Sequence, residues 1–275
     1  MSLLHALILG IVQGLTEFLP ISSSGHLLIV PWLFDWNDFD DPAIKKAFDV
    51  ALHAGTLSAV VGYFRRDIVV HVRAAIGSLK SVKPSSPDAR IAWFLILSSA
   101  PAALAGALFE SWIDDTLGTP TVIGATLIVF AVVLAVADRR DGQRSLEDMT
   151  WKQATGIGLA QVLALNPGTS RSGITISAGR FFGLDRWSAA RFSFLMSLPI
   201  TAGAVVFKVG GLLVDGLPPD FVAPMLIGIG ASALSGWIAV AGLLRLVRTR
   251  TFGIFVLYRI FLGAAILLLV ASNWR

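Results

Sequence analysis

The 275-residue sequence is 55% hydrophobic and only 15% charged, and its mean hydropathy is +0.74. Soluble domains carry about a quarter charged residues, so this composition excludes a soluble globular protein and indicates an integral helical membrane protein. The net charge of +4 does not indicate nucleic-acid binding, because most basic residues lie in short loops between hydrophobic segments, where positive charge sets membrane topology.

The first hydrophobic segment, Leu3–Phe34, is apolar at both ends and polar in the middle, where Gln13–His26 reads QGLTEFLPISSSGH. Pro20 and Gly25 interrupt any continuous helix in this stretch. Irregular backbone at membrane depth is tolerated only where protein or a water-filled cavity covers it. The segment is therefore predicted to be a re-entrant helix hairpin, and its polar centre is predicted to be functional.

Six further segments have the length of about 17–25 mostly apolar residues that a bilayer demands. They are predicted to be transmembrane helices, and the fold class is therefore an all-α polytopic membrane protein. The six spans are Phe48–Phe64, Ile91–Phe109, Thr121–Ala137, Ala190–Leu213, Phe221–Leu244 and Phe252–Ala271. A second broken segment, Ala154–Gly183, lies between the third and fourth spans and is predicted to be a second re-entrant hairpin.

The charges of the connecting loops orient the chain in the membrane. The basic loops are 65–90, 138–153 and 245–250, and the acidic loops are 35–41, 110–115 and 214–220. Because basic loops stay cytoplasmic, the first hairpin enters from the outer side of the membrane and the second from the cytoplasm. Both termini are then expected to face outward.

The order of hairpins and transmembrane spans along the chain also contains an internal repeat. A shift of 148 residues places Gln13 on Gln161, Gly25 on Gly173 and Gly55 on Gly203, and a shift of 130 places Ala105–Gly106 on Ser235–Gly236. Each half holds one hairpin and three spans, so the second half is inverted relative to the first. Repeat 1 covers about residues 1–140 and repeat 2 about 150–275. Inverted repeats of this kind place their broken helices near the midplane of the bilayer, at the binding site.

Gln13 and Glu17 are four residues apart, so on a helix they share one face. A carboxylate and an amide oxygen on one face suit a hard divalent cation such as Mg²⁺ or Ca²⁺. The alternative interpretation is that Glu17 caps a neighbouring helix or pairs with an arginine. Composition and spacing weigh the two interpretations about evenly.

The serines Ser22, Ser23 and Ser24 and the following Gly25 form a loop that enters a second helix. Hydroxyls and free N–H groups at a helix start can hold an anion, although plain capping by serine is the alternative. His26 follows directly and could act as a general acid or base, or it could be a structural histidine. The presence of a hydroxyl, an imidazole and a carboxylate within ten residues favours a catalytic role over a purely structural one.

The second hairpin contains Asn166–Thr175, which reads NPGTSRSGIT. Arg171 is a fixed cation at membrane depth, and the fork of donors on arginine matches phosphate. The alternative is an arginine that neutralises Glu17 for structural reasons. If the hairpins meet, the two form a site for a phosphorylated lipid, with attack by serine or by water. The flanking candidates for substrate binding are Ser170, Ser172, Gly173 and Thr175.

The stretches QGLTEFLPISSSGH and PGTSRSGITIS resemble the two signature motifs of the bacterial undecaprenyl pyrophosphate phosphatase family, of the bacitracin-resistance type. The resemblance continues through Phe48–Val50, the segment around Gly55 and Arg191–Leu195, and covers essentially the whole chain. It implies an inner-membrane enzyme that removes the terminal phosphate from undecaprenyl pyrophosphate and regenerates the lipid carrier for peptidoglycan. It also implies dependence on a divalent cation, an active site open to the periplasm and the capacity to form a homodimer.

The resemblance also implies roles for individual residues. Gln13 and Glu17 match the motif that handles metal and pyrophosphate, although many family members have glutamate at the first position. Ser23 matches the proposed nucleophile, with Ser22 as its neighbour, and Arg171 matches the phosphate-binding arginine. His26 matches an essential histidine, which could be the base that a serine nucleophile needs, or could activate water or protonate the leaving group.

Ser170, Ser172 and Thr175 match hydroxyls that line the same cavity in the family. His53 stands where the family pattern leads us to expect glutamine, and no role is assigned to it. The main alternative function is a transporter or flippase of an anionic lipid, since inverted repeats with half-helices around an anion suit transport equally well. A lipid-binding scaffold is a third alternative, but it would make no use of Glu17 together with His26.

Overall fold

The structure is a computed structural model that describes residues 1–39, 41–79, 86–215 and 219–274. Over these ranges the regular structure is helical. The α-helices are α1 Leu3–Phe18, α2 Ser23–Phe34, α3 Pro42–Tyr63, α4 Arg65–Ser78, α5 Pro87–Leu117, α6 Pro120–Asp138, α7 Trp151–Gln161, α8 Arg171–Phe181, α9 Arg186–Asp215, α10 Pro219–Leu246 and α11 Gly253–Ala271. Two short 3₁₀ helices, Leu146–Asp148 and Val162–Leu165, flank α7.

Five of these helices are long and apolar enough to cross a membrane, namely α5, α6, α9, α10 and α11. Helix α3 meets the same criterion only together with α4, which follows it after a bend of 81°. The described chain therefore has five or six helices of membrane-spanning character. This confirms the prediction of an all-α, multi-pass membrane protein.

The helices extend further than the hydrophobic spans predicted them to. Helix α4 occupies much of the basic loop 65–90, and α5 continues through the acidic segment 110–115 before it ends at Gly118. Hydropathy marks where a helix leaves lipid, whereas the helix itself continues until a residue such as glycine stops it. Parts of three predicted loops, at residues 40, 80–85 and 216–218, lie outside the described residues.

Three of the long helices begin with the same local signal. In each, a capping side chain accepts a hydrogen bond from a backbone N–H of the first turn, and proline occupies the first helical position. Proline is favoured there because its fixed φ suits the helix and its missing N–H would have had no partner. The pairs are Asp41–Pro42, Ser86–Pro87 and Thr119–Pro120.

The two segments predicted as broken helices are indeed interrupted, and their breaks have the same construction. Ser22 precedes α2 and Ser170 precedes α8, with φ values of 77° and 71°. Each serine hydroxyl accepts a hydrogen bond from the N–H of the glycine three residues later, Gly25 at 3.3 Å and Gly173 at 3.1 Å. A positive φ costs a residue other than glycine about 1–3 kcal/mol, so the surrounding structure must hold both turns.

A core of aromatic side chains fixes the helices behind these turns. Phe18, at the end of α1, lies edge-on to Phe194 of α9 with ring centroids 5.4 Å apart, and both are almost fully buried. The same core cluster includes Phe94 and Phe192. Because Phe18 directly follows Glu17, this packing holds the candidate carboxylate in place relative to α9.

Small residues let α1 approach α10 closely. A Cβ on Gly14 would overlap the carbonyl oxygen of Ser232 and the hydroxyl of Ser235, and one on Gly10 would overlap the carbonyl oxygen of Gly228. Close backbone approach through small residues is a common way of packing helices in membranes. The position of α1, and with it the candidate site, therefore depends on glycine at these contacts.

Replacement of Gly14 by alanine is expected to destabilise the protein by about 1–3 kcal/mol, the usual cost of overpacking a well-packed contact. Thermal unfolding of the detergent-purified protein measures this as a lower melting temperature. Gly230→Ala is the matched control, because a Cβ at this position of α10 meets no atom within 4 Å. Equal melting temperatures of the two variants would contradict the close contact of α1 with α10.

Candidate active site

The two serine turns lie against each other. The hydroxyl of Ser22 accepts a hydrogen bond from the N–H of Gly168 at 3.0 Å, and the hydroxyl of Ser172 donates to the carbonyl oxygen of Leu19, also at 3.0 Å. Each bond joins one broken segment to the other across about 150 residues of sequence. The first residues of α2 and α8 are thereby brought to one place, with the positive ends of both helix dipoles.

Glu17 is the centre of the polar contacts between the turns. Its Oε1 accepts a hydrogen bond from Nη2 of Arg171 at 2.7 Å, and its Oε2 accepts one from the hydroxyl of Ser23 at 2.5 Å. Nε2 of Gln13 also donates to Oε2, at 3.1 Å. The Glu17 side chain is only 6% exposed, so these three partners satisfy a carboxylate that is almost excluded from solvent.

A cavity of about 160 Å³ lies at this cluster. This volume is enough for a small anionic group and too small for a long prenyl chain. Three larger clefts of 520 to 610 Å³ lie elsewhere, but they lack this combination of carboxylate, hydroxyls and arginine. The small cavity is lined by Glu17, Ser22, Ser23, Ser24, His53, Ala102, Gln161, Ala164, Leu165, Ser170, Arg171 and Ile200.

Several buried polar atoms around the cavity have no hydrogen-bond partner within the described protein. They include Oε1 of Gln13, Oε1 of Gln161 and Nη1 of Arg171. Buried polar atoms in proteins are nearly always paired, with protein, water or a ligand. The Gln161 oxygen and the Arg171 nitrogen belong to residues that line the cavity, and the Gln13 oxygen belongs to the side chain that donates to Glu17. The unpaired atoms complement a polar ligand that offers both acceptors and donors.

The residues around Glu17 can hold a divalent cation, but they supply only part of its coordination shell. Glu17 and Gln13 offer two oxygens on one helix face, as the hypothesis from the sequence required, and the Gln13 oxygen is unpaired. No group of three or more histidine, cysteine, aspartate or glutamate side chains surrounds a common point in the described part of the chain. The protein alone therefore supplies few ligands, and water or phosphate oxygens must complete the shell, as is usual for Mg²⁺.

His26 lies behind the serine turn and is not among the residues that line the cavity. Its Nδ1 is 2.6 Å from the carbonyl oxygen of Ser22, and its Nε2 is 2.7 Å from the hydroxyl of Tyr258. The His26 and Tyr258 rings are also stacked, with centroids 5.7 Å apart. Both ring nitrogens are thus engaged, and the described contact of the Ser23 hydroxyl is with Glu17 instead.

Of the remaining candidate hydroxyl residues, some line the cavity and others are buried next to the residues that line it. Ser24 and Ser170 line the cavity, whereas Ser172 and Thr175 are buried behind it. The Thr175 hydroxyl donates to the carbonyl oxygen of Arg171 at 2.8 Å and lies 2.7 Å from the hydroxyl of Ser193 on α9. Thr175 thus fixes the first turn of α8, on which Arg171 is mounted.

Gly25 and Gly173 are close-approach positions at the starts of α2 and α8. A Cβ on Gly173 would come within 2.8 Å of Nη1 of Arg259, and one on Gly25 within 3.4 Å of the N–H of Gly168. Both glycines also donate their N–H groups to the capping serines. They shape the turns and do not line the cavity.

Arg259 is a residue that the sequence analysis missed. It is fully buried on α11 and donates hydrogen bonds to the carbonyl oxygens of Pro20, Gly168, Thr169 and Leu127, at 2.9 to 3.2 Å. These acceptors lie in both turns and on α6, so one guanidinium ties the two broken segments to the bundle. The signal was present in the sequence, because an arginine inside a predicted span is a functional candidate by default.

His53, to which no role was assigned, lines the cavity on the side of Glu17. Its Nδ1 lies 2.7 Å from the carbonyl oxygen of Asp49, one helical turn earlier on α3. Its Nε2 faces Oε2 of Glu17 at 3.7 Å. Sequence spacing could not have predicted this contact, since it depends on how α3 packs against α1.

The fold and the site together define a multi-pass helical membrane protein in which two broken helical segments place a carboxylate, serine hydroxyls and an arginine around one buried cavity. Residues 6–265 match the family described as bacitracin resistance protein BacA. The chain belongs to this family.

Relatives named undecaprenyl-diphosphatase align with almost the whole chain. The proteins from Geobacter metallireducens and Pelobacter propionicus are 48% and 49% identical over 275 residues, covering 99% of this chain and 100% and 99% of their own lengths. The protein from Myxococcus xanthus is 44% identical over 275 residues, covering 99% of this chain and 91% of its own.

Proposed function

We propose that this protein is a membrane phosphatase that hydrolyses undecaprenyl pyrophosphate to undecaprenyl phosphate and inorganic phosphate. The observation that carries the proposal is the contact of one buried carboxylate, Glu17, with both a hydroxyl, Ser23, and a guanidinium, Arg171. The names of relatives that match over nearly the full length support the same substrate. Hydrolysis recycles the lipid carrier for cell-wall synthesis and confers resistance to bacitracin.

Substrate binding begins with Arg171. Its Nη2 is held by Glu17, while its Nη1 is buried and unpaired, so the guanidinium can donate to a phosphate oxygen and keep its orientation. The starts of α2 and α8 add the partial positive charge of two helix dipoles. The diphosphate occupies the cavity, and the prenyl chain leaves past the apolar side chains of the lining, Ala102, Ala164, Leu165 and Ile200.

Ser23 is the proposed nucleophile and Glu17 its general base. The hydroxyl donates to Oε2 at 2.5 Å, so the proton passes to the carboxylate as Oγ attacks the terminal phosphorus. The bond from phosphorus to the bridging oxygen breaks, and undecaprenyl phosphate leaves. A water oxygen then attacks the phosphorus of the phosphoserine and loses a proton to solvent, while the bond from phosphorus to Oγ of Ser23 breaks and the proton on Glu17 returns to Oγ. Arg171 stabilises the charge that develops on the phosphoryl oxygens in both steps. A divalent cation held by Glu17 and Gln13 would neutralise further charge on the diphosphate.

His26 is proposed to act on the serine turn, because both of its ring nitrogens are already engaged. It holds the carbonyl oxygen of Ser22, the residue whose positive φ sets the direction of the turn, and Tyr258 holds the imidazole in place. The essential histidine implied by the family resemblance is thus a positioning residue for Ser23.

Removal of the proposed nucleophile, of its general base or of the phosphate-binding arginine is expected to lower phosphate release. Ser23→Ala, Glu17→Gln and Arg171→Ala should each reduce turnover of undecaprenyl pyrophosphate by at least about 10²–10³-fold, the effect of losing one group that stabilises a transition state. Purified protein in detergent with Mg²⁺ or Ca²⁺ is assayed for released phosphate. Ser272→Ala, at an exposed position after α11, is the control and should retain wild-type activity.

The outcomes separate the rival mechanisms and functions. Full turnover by Ser23→Ala would eliminate Ser23 as the nucleophile in favour of water or Ser22. Absence of phosphate release from the wild-type protein with a divalent cation present would contradict the enzyme. Lipid movement in proteoliposomes without hydrolysis would instead support the transporter or flippase.

The role of His26 is tested by a side chain that retains a donor and cannot titrate. His26→Asn can still donate to the Ser22 carbonyl and should keep activity within about tenfold of wild type, with an unchanged pH profile. His26→Ala should lose about 10²-fold or more. If both variants are equally inactive and the wild-type pH profile loses one limb in them, His26 acts directly as an acid or base, which contributes about 10²–10⁴-fold.

We further propose that the two halves are inverted repeats with re-entrant hairpins, in the bacterial inner membrane. The matching geometry of the Ser22 and Ser170 turns, 148 residues apart, supports the repeat. Loop charges support an active site and termini on the periplasmic side. Formation of a homodimer remains part of the proposal, and the mass of the detergent-solubilised protein measures it.

The absence of cysteine from the sequence allows the orientation to be tested with single cysteines. Ser2→Cys and Ser272→Cys, near the two termini, should react in intact spheroplasts with a maleimide that cannot cross the membrane. Gln143→Cys, in the basic loop 138–153, should react only after the membrane is permeabilised. The reverse pattern of labelling would overturn the proposed orientation.

A further inference from the structure

The contact between His53 and Glu17 joins two hydrogen-bond acceptors when the imidazole is neutral. Nδ1 of His53 lies 2.7 Å from the carbonyl oxygen of Asp49, and a carbonyl can only accept, so Nδ1 carries a hydrogen in either protonation state. In the neutral ring the lone pair is then on Nε2. That atom lies 3.7 Å from Oε2 of Glu17, which is also an acceptor.

Two acceptors that face each other at this distance repel unless Nε2 carries a proton or a metal ion lies between them. A histidine that binds metal commonly donates its other ring N–H to a backbone carbonyl. The hydrogen bond to Asp49 has that arrangement. Atoms 3.7 Å apart can both reach one cation, since bonds from a metal to imidazole nitrogen or carboxylate oxygen are about 2.0–2.2 Å long.

Gln13 provides a second, independent observation. Its side chain is fully buried, Nε2 donates to the same Oε2 of Glu17, and Oε1 has no partner in the described protein. An amide oxygen buried without a partner is costly, and a cation beside Glu17 would satisfy it. Arg171 engages the other carboxylate oxygen, Oε1, so the phosphate clamp and a cation use different oxygens, and the cation shares Oε2 with the Ser23 hydroxyl and Nε2 of Gln13.

We propose that His53 is a metal ligand, which with Glu17 and Gln13 forms a mixed nitrogen and oxygen site beside the diphosphate. This inference rests on the proposed function, because phosphate oxygens must complete the shell and balance the charge. Imidazole suits first-row transition metals, whereas carboxylate and carbonyl oxygens suit Mg²⁺ and Ca²⁺ equally well. His53 therefore shifts the preference of the site from Ca²⁺ toward ions such as Mn²⁺.

The test measures the metal and not the turnover. Purified full-length protein in detergent is loaded with Mn²⁺ and inorganic pyrophosphate, and electron spin echo envelope modulation records nitrogen nuclei bound to the ion. The wild-type protein should show the coupling of one imidazole nitrogen, and His53→Gln should lack it. The dissociation constant for Mn²⁺ should rise about 10–100-fold in His53→Gln, and the constant for Ca²⁺ less than about threefold.

His5→Gln is the matched control, because His5 pairs with Asp38 and stacks on Trp36, away from the cavity lining. It should keep both the nitrogen coupling and the Mn²⁺ affinity. His53→Ala is the second variant, and it should also lose the coupling while its melting temperature reports whether it is folded. A proton on Nε2 in place of a metal would leave the wild-type spectrum without nitrogen coupling.

Nitrogen coupling that is absent from the wild-type spectrum, or that persists in folded His53→Gln, overturns the assignment. Failure of the proposed function is a different result. In that case the Mn²⁺ spectrum shows the imidazole, but no phosphate is released from undecaprenyl pyrophosphate by the wild-type protein. If phosphate release is normal and the nitrogen coupling is missing, the phosphatase stands and His53 is not a ligand.

Discussion

The ion pair between Glu17 and Arg171 is the interaction on which the site depends. Each charge lies in an apolar helical bundle, where an unpaired ion would cost several kcal/mol, and breaking a buried pair by removing one partner typically costs about 3–5 kcal/mol. The partners are 154 residues apart in sequence and belong to different broken segments. Neither segment can hold its charge at this depth without the other, so the electrostatics of the site and the assembly of the two halves are one constraint.

Arg259 has a different role, which is to donate hydrogen bonds to backbone carbonyl groups. Breaking a helix inside a membrane leaves carbonyl groups without their helical partners, and the turns before α2 and α8 create several of these. Arg259 donates to carbonyl oxygens of both turns, and its described hydrogen bonds are all to backbone carbonyl groups. A planar fork with five donors suits this task, whereas the single ammonium of a lysine would reach fewer of the acceptors. The two arginines thus have different roles: Arg171 pairs with a charged group, and Arg259 stabilises irregular backbone.

The parts of the site that follow from local sequence were predicted, and the parts that depend on packing were not. The spacing of four residues between Gln13 and Glu17 predicted their shared face, and the hydrogen bond between them has that geometry. Pairing of Glu17 with Arg171 was stated as one alternative, and the structure shows the pair within a cavity that also contains the serines. Two contacts, one between His53 and Glu17 and one between Tyr258 and His26, join helices that are distant in sequence. No local sequence pattern encodes such contacts.

The same ion pair also bears on how the proposed diphosphate and cation would bind together. While Arg171 and Ser23 are its partners, the negative charge of Glu17 is compensated, and the pair attracts neither a free cation nor a free anion strongly. A diphosphate that engages the unpaired Nη1 of Arg171 brings negative charge into the cavity and so makes a cation beside Oε2 favourable. If the proposed substrate and cation both bind here, linkage predicts that their binding is positively coupled, because each stabilises the site of the other. In the proposed phosphatase mechanism, the Ser23 hydroxyl 2.5 Å from the Glu17 carboxylate can pass its proton to that carboxylate as it attacks phosphorus. Transport of an anionic lipid, by contrast, requires only binding and has no step that uses this proton transfer.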